Sequence, residues 1–548
     1  MFGLMQERPL LVTSVIHHAA RHHGHVEVVS RLLDGSTHRT TYRALEARAR
    51  RMARVLQRLG VKDADRVATL AWNSFRHMEL YYGISGMGAI CHTVNPRLSP
   101  EDVSYILNDA ASVYLFADSS FVSLIEAAAP KLAGHLRGVV MLCRPEEMPA
   151  VTLPAGIDLL CYETLMDAAD EDFAWPAFDE RTAANLCYTS GTTGRPKGVL
   201  YSHRSILLHT LAENSAAVFG LRPGDRVMPV VPMFHVNGWG TAYAAPAAGA
   251  ALVMPGRHLD GASVAHLMNE ERVVISAGVP TVWLGLLQHL RASGERLHTV
   301  RRLIIGGSAC PPALIEAFEK EYGIAVEHAW GMTETSPLGT FNTPIAVAGE
   351  DEAAALRRKS KQGHAIFGLD MRIIDEMDRE LPWDGETSGN LQVRGHWVCS
   401  AYFGNPPGSA TDADGWFTCG DVAAITPDGN MEITDRSKDV IKSGGEWISS
   451  ILLENIAVAQ PEVAEAAVVA AAHPKWDERP LLIVVPRQGT TIDPDALLAA
   501  YRGKVANYWI PDAVVVLESL PHTATGKVSK LALRKQYRNY LVEAQSIA

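Results

Sequence analysis

The chain has 548 residues, a formal net charge of −11, 47% hydrophobic residues and 20% charged residues. Since one domain usually holds about 100–200 residues, this length implies more than one folding unit and ample chain for a core. The composition argues against a disordered, collagen-like or repeat protein, and the acidic balance argues against a non-specific nucleic-acid binder. Seven cysteines, without CxxC spacing, indicate reduced buried thiols rather than a disulfide framework.

The first ten residues and one uncharged run are the segments that bear on secretion and on membrane insertion. MFGLMQERPL contains no basic region followed by an apolar stretch, so no secretion signal is expected. Residues 227–256 contain no Lys, Arg, Asp or Glu, and a run of that length could span a bilayer. Prolines and glycines interrupt it, and His235 and Asn237 lie inside it, which favours buried core and a pocket wall. We therefore expect a soluble, cytoplasmic protein with no integral membrane segment.

Strand-like runs alternate with helical patterns through most of the N-terminal part of the chain, which predicts α/β layers with largely parallel sheets. Residues 302–306 form one such apolar run, and two prolines then open a segment with apolar residues at helical spacing over 311–322. The same succession appears at 67–72 and at 272–290. Five histidines between residues 17 and 25 have no accompanying Cys or carboxylate pattern, so we expect helix-surface histidines rather than a zinc site.

Near Asp435 the pattern changes to a compact set of elements that is sufficient for a small α+β domain. The predicted elements are a helix at 450–458, strands at 464–472 and 481–485, a helix at 493–505, a strand at 513–517 and a basic C-terminal helix. The prediction is therefore an N-terminal domain over residues 1–434, a hinge at 435–438 and a C-terminal domain over 439–548.

The segment from Tyr188 to Val199, YTSGTTGRPKGV, is the richest in chemistry. Glycines allow a close backbone approach, and hydroxyl groups and a lysine suit a polyphosphate. It is not a Walker A loop, because Lys197 is followed by glycine rather than by serine or threonine. A plain Gly/Thr turn between two strands is the alternative. The residues predicted to bind phosphate are Thr189, Ser190, Gly191, Thr192, Thr193 and Lys197.

This segment resembles the phosphate-binding signature of the adenylate-forming superfamily, which includes acyl-CoA synthetases, luciferases and the adenylation domains of peptide synthetases. Further matching motifs follow in the same order along the chain. They are Gly331-Met-Thr-Glu-Thr335, Gly415-Trp-Phe-Thr-Cys-Gly-Asp421, Asp435-Arg-Ser-Lys-Asp-Val-Ile-Lys-Ser-Gly-Gly-Glu446 and Pro521-His-Thr-Ala-Thr-Gly-Lys527. The stretches 232–240, 442–450 and 473–481 are most similar to bacterial fatty acyl-CoA synthetases and to the related 3-methylmercaptopropionate CoA ligases.

The resemblance implies an AMP-forming acid–thiol ligase, which adenylates a carboxylic acid with ATP and Mg²⁺ and transfers the acyl group to CoA. It also implies a large N-terminal domain of stacked α/β layers with a β-barrel-like portion, and a small mobile C-terminal domain. The acid is expected to be apolar and unbranched near its carboxylate, a fatty acid or a compound like 3-methylmercaptopropionate. Members of the superfamily are often homodimers, although the sequence itself identifies no interface.

The same resemblance implies roles for residues at the nucleotide. Thr189 and Glu334 would hold Mg²⁺, since a hard cation prefers oxygen ligands, and Thr333 would contact the α-phosphate. Asp421 would accept hydrogen bonds from the ribose hydroxyls. The adenine pocket would be formed by Gly307, His328, Ala329 and Trp330, with tryptophan where many relatives have tyrosine.

The resemblance extends to the C-terminal region and to the acyl pocket. Lys527 would bridge the carboxylate and the α-phosphate, and His235 would lie near the carboxylate. Trp239 matches an aromatic gate of a fatty-acid tunnel. A histidine on an apolar stretch is otherwise more often a core residue. Asp435 and Lys438 would belong to the hinge, and the nucleotide or CoA contacts would come from Arg436, Lys438, Lys442, Gly445 and Trp447.

Two other functions share parts of this pattern. A luciferase-like oxygenase, or another adenylate-forming enzyme with a different acceptor, would have the same adenylation motifs. A non-catalytic nucleotide-binding regulator would tolerate loss of Lys527, although that lysine and both expected Mg²⁺ ligands are present. The length of the acyl chain depends on pocket side chains that the sequence does not place.

Overall fold

The fold is described from a computed structural model of the chain. It covers all residues except Phe2, Ala133, Glu171, 190–194, Pro344, Ala346, Gly445, 523–527 and Ala548, and the side chains of 236, 237, 446 and 544–547 are also outside the description.

The α-helices are α1 (Thr13–His22), α2 (Tyr42–Arg58), α3 (Phe75–Gly86), α4 (Pro100–Asp109), α5 (Val122–Ala128), α6 (Tyr162–Asp167), α7 (His203–Glu213), α8 (Thr241–Ala248), α9 (Gly261–Glu270), α10 (Pro280–Ser293), α11 (Pro312–Ala317), α12 (Glu352–Ser360), α13 (Ser450–Val458), α14 (Pro494–Ala499), α15 (Lys530–Tyr537) and α16 (Tyr540–Ile547). Short 3₁₀ turns include Val236–Gly240 and Thr333–Thr335, and a π-helical turn at Phe318–Tyr322 follows α11.

The strands are β1 (Glu27–Arg31), β2 (Thr37–Thr41), β3 (Arg66–Leu70), β4 (Ile90–Thr93), β5 (Tyr114–Ala117), β6 (Gly138–Met141), β7 (Asp158–Cys161), β8 (Ala183–Tyr188), β9 (Gly198–Ser202), β10 (Arg226–Pro229), β11 (Ala251–Met254), β12 (Ile275–Gly278), β13 (Arg302–Ile305), β14 (Ala325–Gly331), β15 (Leu338–Asn342), β16 (His364–Ala365), β17 (Leu369–Ile374), β18 (Gly389–Gly395), β19 (Phe417–Ile425), β20 (Met431–Arg436), β21 (Ile441–Ser443), β22 (Glu446–Ile448), β23 (Val463–His473), β24 (Asp477–Pro486) and β25 (Ala513–Val516).

Two large sheets form the N-terminal part of the molecule. One has the order β7-β6-β5-β3-β4-β8-β9, and the other has the order β16-β15-β14-β13-β12-β10-β11-β1-β2. Their central strands run parallel, as the alternating pattern predicts, and antiparallel pairs occur at the edges. Every residue of α3 except Arg76 is buried, because this helix packs within the core that both sheets share.

A third sheet, with order β17-β18-β19-β20, is antiparallel throughout and corresponds to the β-rich portion expected beside the α/β layers. The fourth sheet lies in the C-terminal region and has the order β22-β21-β24-β23, with β25 paired in parallel to β24. Layers of mixed α/β structure with a smaller C-terminal α+β unit are therefore the observed fold, as predicted.

Asp435 joins the C-terminal region to the third sheet. Its side chain is buried and accepts hydrogen bonds from the backbone N–H of Ser450 (2.6 Å) and from the Ser450 hydroxyl (2.9 Å) at the start of α13. Lys530 of α15 donates to the same hydroxyl at 2.7 Å and pairs with Glu454 at 2.7 Å. The chain leaves the third sheet at Arg436 and enters the fourth sheet at Ile441.

One predicted helix is wrong in its extent. The sequence predicts a helix over 493–505, but α14 ends at Ala499. Leu497, Tyr501 and Val505 have helical spacing, yet Gly503 adopts a φ of 74° and Tyr501 donates from its hydroxyl to the carbonyl of Leu453 at 2.8 Å. Beyond Ala499 the chain continues as turns, and the left-handed Gly503 is incompatible with a helix that extends to residue 505.

The uncharged run 227–256 forms β10, the turn Val236–Gly240, α8 and β11, mostly in the core. Within the described part of the chain, no helix is long and apolar enough to cross a membrane. His18 and His22 lie exposed on α1, with ring centroids 4.8 Å apart, which confirms the expectation of helix-surface histidines for these two. His23 and His25 follow the end of α1.

Candidate active site

The loop expected to bind phosphate connects the antiparallel strands β8 and β9. Thr189 and Lys197 close its base with two hydrogen bonds, because the Thr189 N–H donates to the carbonyl of Lys197 (2.9 Å) and the Lys197 N–H donates to Oγ1 of Thr189 (3.2 Å). Tyr188, just before the loop, donates from its hydroxyl to Asp109 at 2.6 Å. The predicted ligands Ser190, Gly191, Thr192 and Thr193 lie outside the described residues.

Glu334 lies in the 3₁₀ turn after β14 and is only 6% exposed. Its Oε1 accepts a hydrogen bond from the Tyr402 hydroxyl at 2.8 Å, and the Lys197 ammonium lies 4.8 Å from the centre of the Tyr402 ring. Burial raises the pKa of Glu334 above its usual value, although Tyr402 and the charge of Lys197 oppose this shift. The structure thus brings Lys197 of the phosphate loop and the expected Mg²⁺ ligand Glu334 together.

Thr333 is also buried, and its carbonyl accepts a hydrogen bond from the Tyr201 hydroxyl at 2.6 Å. Tyr201 lies on β9, so the strand that follows the phosphate loop also holds the turn that carries Glu334. The backbone of Glu334 is fixed from a third side, since its carbonyl accepts from the N–H of Cys399 at 2.8 Å.

Asp421 and Trp330 are joined directly. The indole Nε1 of Trp330 donates to Oδ2 of Asp421 at 2.9 Å, and the Arg436 guanidinium lies 3.7 Å from the other carboxylate oxygen. Asp421 and Arg436 are also register partners on the neighbouring strands β19 and β20. The predicted ribose and adenine residues are therefore adjacent, and the tryptophan that replaces the usual tyrosine has a polar partner in the same site.

Of the remaining predicted adenine residues, Gly307 follows β13, and His328 and Ala329 lie within β14. Gly307 adopts a φ of 82°, and Ala329 is buried. His328 is buried with Nδ1 2.8 Å from the carbonyl of Ser360, and burial lowers its pKa. The hydrogen bond to Ser360 ties the His328 ring to the segment behind the strand, and the amide nitrogen of Gln362 lies 3.5 Å from the same ring nitrogen.

The ring of Trp239 lies against Gly306 and Gly307. A Cβ placed on Gly306 would be 2.9 Å from the Trp239 ring and 2.9 Å from the carbonyl of Ala329, so only glycine leaves room for the indole. Trp239 itself has a φ of 53°, an uncommon backbone conformation for a bulky residue. His235, four residues earlier, is partly buried, and its backbone N–H donates to the carbonyl of Pro232. The structure therefore packs the Trp239 ring against Gly306 and Gly307, the second of which is expected at the adenine pocket.

Asn73, which the sequence analysis did not identify, fixes the segment that leads to His235. Its amide nitrogen donates to the carbonyls of Pro229 (2.9 Å) and Val231 (2.8 Å), and its oxygen accepts from the N–H of Met233 (2.6 Å). Tyr402 is the second residue that was missed. Neither lies in a motif, so only the tertiary contacts identify them.

In the C-terminal region, Lys442 forms an ion pair with Glu376 of the preceding sheet at 3.0 Å, and its ammonium lies 5.4 Å from the ring of Trp447. Lys442 is therefore not brought to Glu334 in this arrangement. Lys438 is within electrostatic range of Asp421, and burial lowers its pKa. Gly445 and Lys527 lie outside the described residues.

A cavity of about 510 Å³ opens beside the loop that contains Gly444. A Cβ on Gly444 would be 2.9 Å from the Trp476 ring, so this glycine keeps the entrance narrow but open. The lining residues are Ser443, Gly444, Trp476, Arg479, Tyr508 and Asp512.

Comparisons with known proteins identify the family of this chain. The AMP-binding enzyme family matches residues 15–403, and the C-terminal domain of AMP-binding enzymes matches residues 452–527. The 3-methylmercaptopropionyl-CoA ligase of Ruegeria lacuscaerulensis is 48% identical over 544 residues, which cover 99% of this chain and 100% of that protein. The medium-chain-fatty-acid–CoA ligase of Ectopseudomonas oleovorans is 45% identical and covers 100% of this chain and 99% of its own. The crystal structure of the anthranilate CoA ligase AuaEII, at 23% identity, has the same fold with a TM-score of 0.85, covering 98% of this chain and 99% of that one.

The family match and these relatives thus define an adenylate-forming enzyme. The chain belongs to the AMP-binding enzyme family, in its acyl-CoA synthetase branch. It is an ATP-dependent acid–thiol ligase of the AMP-forming type, which adenylates a carboxylic acid and transfers the acyl group to CoA.

Proposed function

We propose that this ligase activates a fatty acid or a 3-methylmercaptopropionate-like acid, with Mg²⁺ as its cofactor. The acid is assigned by the identity to relatives with those names, 48% and 45% over essentially whole chains. The uncharged wall formed by residues 227–256 supports an apolar acyl group, because it offers no charged partner for a substrate amine.

The observation that carries the proposal is the buried carboxylate of Glu334 beside Lys197. A carboxylate that is 6% exposed and has its pKa raised by burial gains from a bound cation. With the hydroxyl of Thr189 it offers the oxygen ligands that Mg²⁺ prefers, so the residues present fit this ion. Bound Mg²⁺ would neutralise charge on the ATP phosphates.

The chain's own residues would then perform the two half-reactions. Lys197 and Thr333 would hold the phosphates, and Asp421 would bind the ribose. Lys527 would stabilise the negative charge that gathers as the carboxylate attacks the α-phosphate, which releases pyrophosphate. His235 would lie near that carboxylate, and CoA would then attack the acyl-adenylate carbonyl and release AMP.

Adenine would lie against Trp330, with Gly307, His328 and Ala329 forming the rest of the pocket. CoA would approach through the cavity beside Gly444, close to the predicted contacts Gly445 and Trp447. Trp239 would gate the acyl tunnel, since its ring already lies against Gly306 and Gly307.

The domain boundaries belong to this proposal as well. An N-terminal domain over 1–434, a hinge at 435–438 and a mobile domain over 439–548 would let Lys527 and the Gly445 loop serve successive steps. Arg436, Lys438 and Lys442 would exchange partners in that movement. The exposed ion pair between Lys442 and Glu376 supports this role, because surface pairs of this kind break at little cost.

We also propose a cytoplasmic enzyme, where ATP and CoA are both available, that assembles as a homodimer. Seven free cysteines agree with a reducing compartment. Light scattering on the purified chain would measure the assembly, and a mass of one chain would contradict the dimer.

Replacing Asp421 with asparagine is expected to raise the KM for ATP about tenfold, because a charge-assisted hydrogen bond to the ribose is lost. The KM for the acid should stay within about twofold. Steady-state kinetics with ATP varied at saturating acid and CoA would measure both. Trp330→Phe is the companion variant, since it keeps an aromatic face but loses the Nε1 donor to Asp421 together with part of the indole ring system. An unchanged ATP KM in Asp421→Asn would contradict the ribose assignment.

The proposed substrate is tested by following CoA-thioester formation with ATP and Mg²⁺ over straight-chain acids of increasing length and 3-methylmercaptopropionate. We expect thioester with at least one of these acids and none without ATP. Pyrophosphate release without thioester would mean that the acceptor is not CoA. No pyrophosphate release with any of these acids would contradict the proposed substrate class.

A further inference from the structure

Glu213, at the C-terminal end of α7, is a buried carboxyl group with no part in the proposed chemistry. It has no exposed surface, and neither of its carboxyl oxygens has a hydrogen-bond partner among the described residues. A buried polar group without a partner is destabilising, and such groups in native proteins often mark a functional requirement. Burial also raises the pKa of Glu213 well above its usual value.

The carboxyl group of Glu213 contacts the backbone of the turn that carries Trp239. We define the gate turn as Gly238, Trp239 and Gly240, which have φ values of 61°, 53° and 76°. A methyl group added at Gly240 would collide with Oε2 of Glu213, so the backbone of the turn rests against the carboxyl group. Trp239 is the member of this turn for which a left-handed backbone is unfavourable.

His209, one helical turn before Glu213 on α7, connects this contact to the nucleotide side. Its Nε2 accepts a hydrogen bond from the backbone N–H of Leu338 at 3.2 Å, so the proton of the neutral ring is on Nδ1. That Nδ1 lies 3.6 Å from Oε2 of Glu213, which is beyond a hydrogen bond. Leu338 begins β15, three residues after the Gly331–Thr335 motif. A chain of contacts therefore runs from that motif through His209 and Glu213 to Gly240.

We propose that Glu213 is a positioning residue for the gate turn. Its carboxyl group, which has no hydrogen-bond partner among the described side chains and backbone, destabilises the arrangement in which Trp239 covers Gly306 and Gly307. A shift of the turn by a few tenths of an ångström would let the carboxyl group approach His209 or the turn backbone and form a hydrogen bond. Glu213 thereby favours displacement of Trp239 and entry of the acyl group. This inference rests on the proposed role of Trp239 as the gate.

The test is Glu213→Leu, which has similar size and removes the polar group. If the carboxyl group destabilises the covered arrangement, its loss raises the Tm by about 1–3 °C. The population in which Trp239 is displaced from Gly306 and Gly307 falls, so the KM for the acid rises about tenfold, while the KM for ATP stays within about twofold.

Glu213→Gln keeps a hydrogen-bonding group and should restore the acid KM to within about twofold of the wild type. Thr210→Val, on the same helix and also buried, is the control that should leave the acid KM unchanged.

An acid KM within twofold of the wild type in Glu213→Leu, or a fall in its Tm, would overturn the inference. If leucine prevents folding, Glu213→Ala takes its place, and the same rise in the acid KM is expected.

Trp239→Ala distinguishes failure of the gate proposal from failure of the inference about Glu213. If Trp239→Ala leaves the acid KM and chain-length preference unchanged, the gate proposal fails. If Trp239→Ala changes them but Glu213→Leu and Glu213→Ala do not, only the role of Glu213 fails. If the gate role of Trp239 and the positioning role of Glu213 are both correct, adding Glu213→Leu to Trp239→Ala has no further effect on the acid KM.

Discussion

Lys527→Ala is expected to lower the rate of acyl-adenylate formation by about 100- to 1,000-fold. A single cation that meets both the carboxylate and the α-phosphate stabilises charge that develops only in the transition state of the first half-reaction. The second half-reaction breaks the acyl–phosphate bond with the thiol of CoA and does not need that bridge. The thioester rate from supplied acyl-adenylate should therefore stay within about fivefold of the wild type.

The two half-reactions can be measured separately. Pyrophosphate release reports the first, and thioester formation from synthetic acyl-adenylate and CoA reports the second. Lys535→Ala is the matched control, because this lysine is exposed on α15 in the same C-terminal region and should change neither rate. Equal losses in both half-reactions would contradict the assignment of Lys527 to adenylation alone.

Glu334→Gln is expected to lower kcat/KM by about 100-fold or more, because it removes the buried charge that would hold Mg²⁺. The Mg²⁺ concentration for half-maximal activity should rise in parallel. Tyr402→Phe removes only the 2.8 Å hydrogen bond to Glu334 and should raise that concentration by about tenfold. Mg²⁺ titrations at fixed ATP would rank the three proteins, and an unchanged Mg²⁺ requirement in Glu334→Gln would contradict the ligand assignment.

The pH dependence of Mg²⁺ affinity follows from the same burial. A proton competes with the cation for the carboxylate, so affinity falls as the pH is lowered through the pKa of Glu334. Burial raises that pKa above 4.5, so the fall should begin at a higher pH than for an ordinary glutamate. Circular dichroism at each pH would show that the protein remains folded over the range.

Local patterns in the sequence predicted the layered fold and most elements of the C-terminal region. The helix over 450–458 is α13 without change, and the strand over 464–472 is β23 with one residue more at each end. These elements have clear periodicity and flanking signals, which depend on neighbours in sequence. The helix predicted over 493–505 was too long, and the residue after its end that continues the helical spacing, Tyr501, instead contacts Leu453, 48 residues away in sequence.

The motifs, taken in order, predicted the class of chemistry. Their resemblance to the superfamily assigned roles to Thr189, Glu334 and Asp421, and those roles stay predictions. Only the tertiary structure decided what surrounds them. Tyr402 is 68 residues from Glu334, and Asn73 is 160 residues from Met233. Nothing in the sequence distinguishes Glu213 from other polar residues near a helix end, and only the fold shows that the backbone of Gly240 contacts its carboxyl group. Burial and orientation depend on contacts between distant segments, and no local pattern of residue types contains that information.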